Sequence, residues 1–151
     1  MNNVSMNLSE HFSLAEMCKT SANLDNVPNE AQVENLKRLC GWLEMLRSEW
    51  NKRYGEGNDP IIINSGFRSE AVNKAVGGVK GSNHLSGCAA DIRVAGIEQL
   101  VRYATILLDI SDESKEDFDE LLLERSPKGN YWLHFAVRPS GNRRKVRLIQ
   151  T

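Results

Sequence analysis

The stretch "ERSPKGNYWLHFAV", Glu124–Val137, reads as the end of one strand, a tight turn and a second strand. Pro127 and Lys128 suit the middle of a type I turn, and Gly129 suits the left-handed residue of a glycine bulge. In such a three-residue loop Ser126 faces Asn130, which sets Glu124 opposite Trp132 and Leu122 opposite His134. Cross-strand partners share a face, so Glu124, Trp132 and His134 line one side of the hairpin. A slip of one residue would turn Glu124 away.

Working outward, "FDELLLE" is the partner strand, and "PIIINSG" and "CAADIRV" are two further strands bounded by small or polar residues. The basic "RPSGNRRKVRLI" closes the chain as a hairpin or an edge strand. Helical spacing governs the earlier segments. Val33, Leu36, Cys40, Leu43, Leu46 and Trp50 make one apolar stripe between Glu30 and Arg53, with Asn29 as N-cap. Ile97, Leu100, Val101, Ala104 and Leu107 make another between Gly96 and Ile110. "FSLAEM" is a short helix with Ser13 and Glu16 at capping-box spacing, and Arg68–Val76 is another, stopped by Gly77 and Gly78. "SANLDNVPNE" is a loop turned by Asn26 and Pro28, Val79–Gly87 is an irregular loop, and "SDESKED" is an acidic lead-in to the hairpin. N-terminal helices packed on a small, mostly antiparallel sheet make an α+β fold, expected to be one domain over residues 1–151.

A net charge of −1 gives no overall pull toward nucleic acid or an anionic membrane. The basic tail, with Arg138, Arg143, Arg144, Lys145 and Arg147, lacks the interleaved aromatics that stack bases, so a solvated segment is expected and no nucleic-acid partner. Cys18, Cys40 and Cys88, an odd count without CxxC, point to reduced thiols. No stretch approaches the ~20 apolar residues of a membrane span. "MNNVSMNLSEHF" lacks the basic start and apolar run of a secretory signal, so synthesis in the cytoplasm as a monomer is expected.

The chemistry concentrates in "GSNHLSGCAAD", Gly81–Asp91. A loop histidine, His84, and a strand aspartate, Asp91, can converge on one ion, and the small residues between them permit the turn and clear the strand face. Zinc in a catalytic site takes three protein donors and leaves the fourth position open. His134 is the third donor at hand; His11 lies in an N-terminal segment expected to be mobile. Taken singly, His134 reads more often as a satisfied core histidine than as a ligand, and His84 more often as an ordinary loop residue. Glu124 is placed by the hairpin register to act as general base, or else is a solvated strand-end glutamate. Arg68 in "NSGFRS" either holds a substrate carboxylate or braces its loop. Ser82 and Asn83 are turn residues or hydrogen-bond donors to a substrate.

Together, "SGFRS", "VNKAVGG", "SNHLSGCAAD", "FDELLLE" and "WLHF", in this order, resemble the zinc D-Ala-D-Ala carboxypeptidase family of peptidoglycan peptidases, and most nearly its small single-domain, endolysin-like branch from phage and bacterial genomes. The resemblance implies Zn2+ held by His84, Asp91 and His134. It also implies Glu124 as catalytic base, Arg68 as the arginine that binds or polarises substrate, and Ser82 and Trp132 as substrate-binding residues. A cell-wall stem or cross-link peptide is the implied substrate, reached after release by a holin-type route. One departure stands out: many relatives carry the base three residues before the last histidine, where this chain has Tyr131. The base must then come from the preceding strand, with Asp119 and Glu120 as fallbacks, or the chain is a catalytically impaired wall-binding module of the same fold. Cys88 is expected to pack rather than ligate.

Overall fold

The computed structural model describes residues 6–151; the first five residues of the N-terminal segment lie outside the described residues. Five strands, β1 (Ile63–Ser65), β2 (Ala89–Arg93), β3 (Glu120–Arg125), β4 (Tyr131–Ala136) and β5 (Lys145–Gln150), form one sheet in the order β1-β2-β4-β3-β5. All pairings are antiparallel except β3 with β5, which is parallel. The closing basic segment is thus an edge strand. It returns beside the start of β3, where Arg144 N–H donates to the Phe118 carbonyl (2.8 Å) and Lys145 N–H to that of Asp119 (2.9 Å).

The hairpin has the register its turn residues specify. Glu124 pairs with Trp132 and Leu122 with His134. Ser126 N–H donates to the Asn130 carbonyl at 2.8 Å, Gly129 N–H to that of Ser126 at 2.9 Å, and Gly129 has φ 86°. Glycine adopts this left-handed conformation without the penalty a Cβ would bring.

Helices α1 (Leu14–Met17), α2 (Glu30–Arg53), α3 (Glu70–Ala75) and α4 (Ile97–Ser114) precede or interrupt the strands. At α2 the Asn29 side chain accepts from Gln32 N–H and Gln32 returns the bond to Asn29 N–H, both at 2.8 Å, a full capping box. At α1 only the Ser13 half forms, accepting from Glu16 N–H at 3.1 Å. The expected acidic lead-in is helical as far as Ser114, because Ser111 is buried while Asp112 and Glu113 face solvent, which continues the amphipathic pattern.

α2 and α4 cover one face of the sheet. Leu36, Leu43, Leu46, Ile106 and Leu107 are buried there with Ile92, Leu121, Leu133 and Phe135. Trp42 meets Phe135 at 5.4 Å and Phe118 edge-on at 6.5 Å between centroids. Burying a large apolar side chain contributes roughly 1.5–3 kcal/mol, so this layer sets which face of the sheet turns inward. Alternation along the strands then turns Asp91, Glu120, Leu122, Glu124, Trp132 and His134 to the opposite face. Among the described residues no helix is long and apolar enough to cross a membrane.

Candidate metal centre

The expected irregular loop contains a 3-10 turn, Asn83–Ser86, capped by the Ser82 hydroxyl, which accepts from His84 N–H at 3.1 Å. Gly87 ends it at φ 77°, and a Cβ there would lie 2.6 Å from the Gln32 carbonyl of α2. The turn is docked on the start of α2 by Gln32, which donates to the Leu85 carbonyl, and by Asn35, which donates to that of Ser86. Asn26 donates to the carbonyls of Cys18 and Phe67 and accepts from Ser69 N–H, so it ties the "SGFRS" segment to the N-terminal loop. These contacts hold the turn and the arginine segment over the polar face of the sheet.

Ligand atoms of His84, Asp91 and His134 lie within 4.8 Å of one another. His84 Nδ1 is 2.6 Å from the Gly66 carbonyl, an acceptor only, so this nitrogen carries the proton and Nε2 faces Asp91 Oδ1 at 3.4 Å. Asp91 pairs with His134 across β2 and β4, and His134 Nδ1 is 3.1 Å from the same oxygen. The other ring nitrogen, Nε2, is 2.9 Å from Glu120 Oε1. Two imidazole nitrogens and a carboxylate, each backed by a carbonyl, a carboxylate or a guanidinium, are a donor set that suits a divalent transition metal such as zinc. The residues fit such an ion.

Electrostatics follow from these contacts. Burial works to raise the Asp91 pKa, but hydrogen bonds from His134 and His84 outweigh it and hold the carboxyl well below the usual range. Burial works to lower that of His134, yet its bonds to Asp91 and Glu120 lift it to about 9. Glu120 is brought down to about 2, first by its bond to His134 and, against burial, by Asn83. A metal cation would take the place of the proton shared at His134 Nδ1.

Arg68 donates from Nη2 to Asp91 Oδ2 (3.1 Å), from Nε to Ser65 (3.0 Å) and from Nη1 to Asn73 (3.2 Å). It braces Asp91 and also lines a cleft of about 490 Å³. The same cleft takes in Ser82, Glu124 and Trp132 beside His84, Asp91 and His134. Glu124 is half-buried, and burial pushes its pKa up. Tyr131 packs against the core, on the side of the sheet opposite His134, because three residues along a regular strand reverse the face.

His11 contacts α2 rather than the triad: Glu44 Oε1 lies 2.6 Å from its Nδ1 and Arg47 Nη1 lies 2.7 Å from its Nε2. Cys88 is buried and outside the donor group. The basic tail is exposed over much of its length, as expected of a solvated segment, but three of its arginines are paired. Arg143 makes a bidentate pair with the fully buried Asp119 (3.0 and 2.8 Å), Arg138 reaches Asp119 and Asn83, and Arg144 pairs with Asp112. Sequence reasoning did not single out Asn83, Asp119, Glu120, Arg138 and Arg143 as one network, since no spacing links them. The only signal was the pair of acidic residues at the start of "DELLLE".

A family model described as Peptidase M15 matches residues 10–111. The chain belongs to the peptidase M15 family. The matched span of this M15 member holds His84, Asp91 and Arg68, whereas β3 and β4, with Glu120, Glu124 and His134, follow it. Over 40 residues the chain is 48% identical to the zinc D-Ala-D-Ala carboxypeptidase of Streptomyces albus G, a stretch covering 26% of this chain and 16% of that protein. The chain thus spans about a sixth of the length of the curated relative it matches.

Proposed function

We propose that this chain is a zinc peptidase that hydrolyses peptides of peptidoglycan, acting through one catalytic domain. The observation that carries the reading is the convergence of His84, Asp91 and His134 within 4.8 Å at the floor of a cleft that also holds the half-buried Glu124. The M15 match and the partial identity to a zinc D-Ala-D-Ala carboxypeptidase supply the substrate class.

In this reading His84 Nε2, an Asp91 oxygen and His134 Nδ1 hold zinc. When bound, zinc supplies a Lewis acid and lowers the pKa of water toward 7. Gly66 and Glu120 fix the two imidazole rings, and Arg68 fixes the Asp91 carboxylate. Glu124 accepts the proton of the attacking water and returns it to the departing amine. A raised carboxyl pKa suits both transfers, since an acid-base group works best near the working pH. Ser82, Trp132 and the free N–H groups of Arg68 bind the peptide.

The test is digestion of purified peptidoglycan by protein of measured zinc content, with the muropeptides read by mass spectrometry to identify the bond cut. New peptide termini that appear only with the zinc-loaded protein support the reading. Zinc binding without cleavage would instead favour a wall-binding module, and cleavage by zinc-free protein would refute the mechanism.

A further inference from the structure

Buried Asp119 presents an imbalance. Its Oδ1 accepts from Arg143 N–H (3.1 Å) and Arg143 Nε (3.0 Å), and its Oδ2 accepts from Asn83 (2.8 Å) and Arg143 Nη2 (2.8 Å). One arginine and one amide therefore satisfy the carboxylate, yet a second arginine, Arg138, stands beside it with Nε 3.2 Å from Oδ2. A structural pair needs one cation, and Arg138 is surplus.

Arg138 is also held in place. Its Nε donates to Asn83 Oδ1 at 2.9 Å, its backbone N–H donates to Asn142, and Asn142 donates back to the Arg138 carbonyl. Asn83 adjoins His84 and donates to Glu120, the partner of His134. Neither terminal amino group of Arg138, Nη1 nor Nη2, makes a hydrogen bond among the described residues, and the side chain is 36% exposed where it lines the same cleft as the triad. A guanidinium anchored through Nε presents the other edge of its planar fork, the geometry that takes a carboxylate in two parallel bonds. The other arginines of the cleft are differently engaged: Arg68 on Asp91, and Arg143 along its Nε–Nη2 edge on Asp119.

We infer that Arg138 is a substrate-carboxylate anchor at the β4 end of the cleft, recognising a free carboxylate of the peptide next to the bond that is cut. The inference deepens the peptidase reading and rests on it. Two sources share this chemistry, the terminal carboxylate of the peptide and the side-chain carboxylate of an acidic residue.

The test pairs each acid with its neutral amide: a peptide ending in D-Ala-D-Ala against its C-terminal amide, and a peptide containing D-Glu against its D-Gln counterpart. Binding to the zinc-loaded protein is measured by calorimetry, and hydrolysis of whole peptidoglycan is measured separately. One acid of the two pairs should bind roughly tenfold more tightly than its amide. Arg138→Ala should erase that preference and Arg138→Lys should restore part of it, with zinc content and thermal midpoint serving to show an intact fold. Whichever pair responds names the carboxylate. Equal binding of acid and amide in both pairs, or a preference that survives Arg138→Ala, would overturn the anchor. If peptidoglycan is cleaved and the preference is absent, Arg138 alone is wrong. If an Arg138-dependent preference exists without cleavage, the anchor stands and the peptidase reading falls.

Discussion

Two glutamates on one strand face, Glu120 and Glu124, have different surroundings, and exchanging each for glutamine tests the separate tasks proposed for them. Both substitutions keep side-chain size and remove a carboxylate. Glu120 is fully engaged: Oε1 accepts from His134 Nε2 at 2.9 Å and from Asn83 at 2.8 Å, and its pKa lies near 2, far too low for a base at neutral pH. Glu124 has no histidine or amide donor among the described residues, and burial raises its pKa against the weaker lowering effects of His134 and the Trp132 side chain. Among the described residues every other carboxylate of the cleft is committed to an arginine or a histidine. Glu124→Gln should therefore lower kcat by about 10²–10⁴-fold, or roughly 3–5 kcal/mol of barrier, with zinc affinity unchanged. Glu120→Gln should weaken zinc by about 10–100-fold, as removal of the partner of a ligating histidine does, with turnover recovered at saturating zinc. Zinc competition with a chromophoric chelator measures the first quantity, and release of new amines from peptidoglycan the second. If Glu120→Gln abolishes turnover at saturating zinc while Glu124→Gln stays active, the assignment of the two roles is reversed.

Three further outcomes follow from the same contacts. Gly87→Ala should lower stability by about 2–4 kcal/mol in urea unfolding, because it combines a left-handed backbone with a Cβ 2.6 Å from the Gln32 carbonyl; a loss below about 1 kcal/mol would show that the turn relaxes freely. Asp119 has a folded pKa of about 2, set by burial, which raises it, and by the larger combined effect of Arg143, Asn83 and Arg138; this lies below the unfolded value near 4. Its contribution is fully present above that unfolded value and is lost as pH falls from about 4 through 2, so the urea midpoint should drop across this window and Asp119→Asn should flatten the drop. Chelation should lower the thermal midpoint and zinc should restore it, since an ion bound only by the folded triad stabilises by mass action; His84→Ala should lose this response, and a midpoint blind to chelator would argue against a metal at the triad.

Local chemistry written in consecutive residues was legible without coordinates. Asn29 capped α2, the stripe from Val33 to Trp50 gave its inward face, and Pro127, Lys128 and Gly129 specified a turn whose register put Glu124 and His134 on one side. Each depends on bonds within a few residues, where backbone geometry leaves few choices. The convergence of His84 with Asp91 was legible as a possibility, and the family pattern sharpened it into an expectation.

Other features arose from contacts between distant segments. Arg68 and Glu120 support the donors of the site, and neither role follows from neighbouring residues, because their partners Asp91 and His134 lie 23 and 14 positions away. The tail looked like solvated charge, yet a parallel β5 brings Arg143 and Arg138 back onto a buried Asp119, where an unpaired carboxylate would be costly to keep in a dry interior. His11 looked free and contacts Glu44 across 33 residues. Sequence by itself determined most of the helices and strands and the hairpin register, and narrowed the candidate donors to a few residues. Only the tertiary structure decided which cations neutralise which carboxylates, because buried charges are matched through space, and sheet order rather than sequence order sets their neighbours.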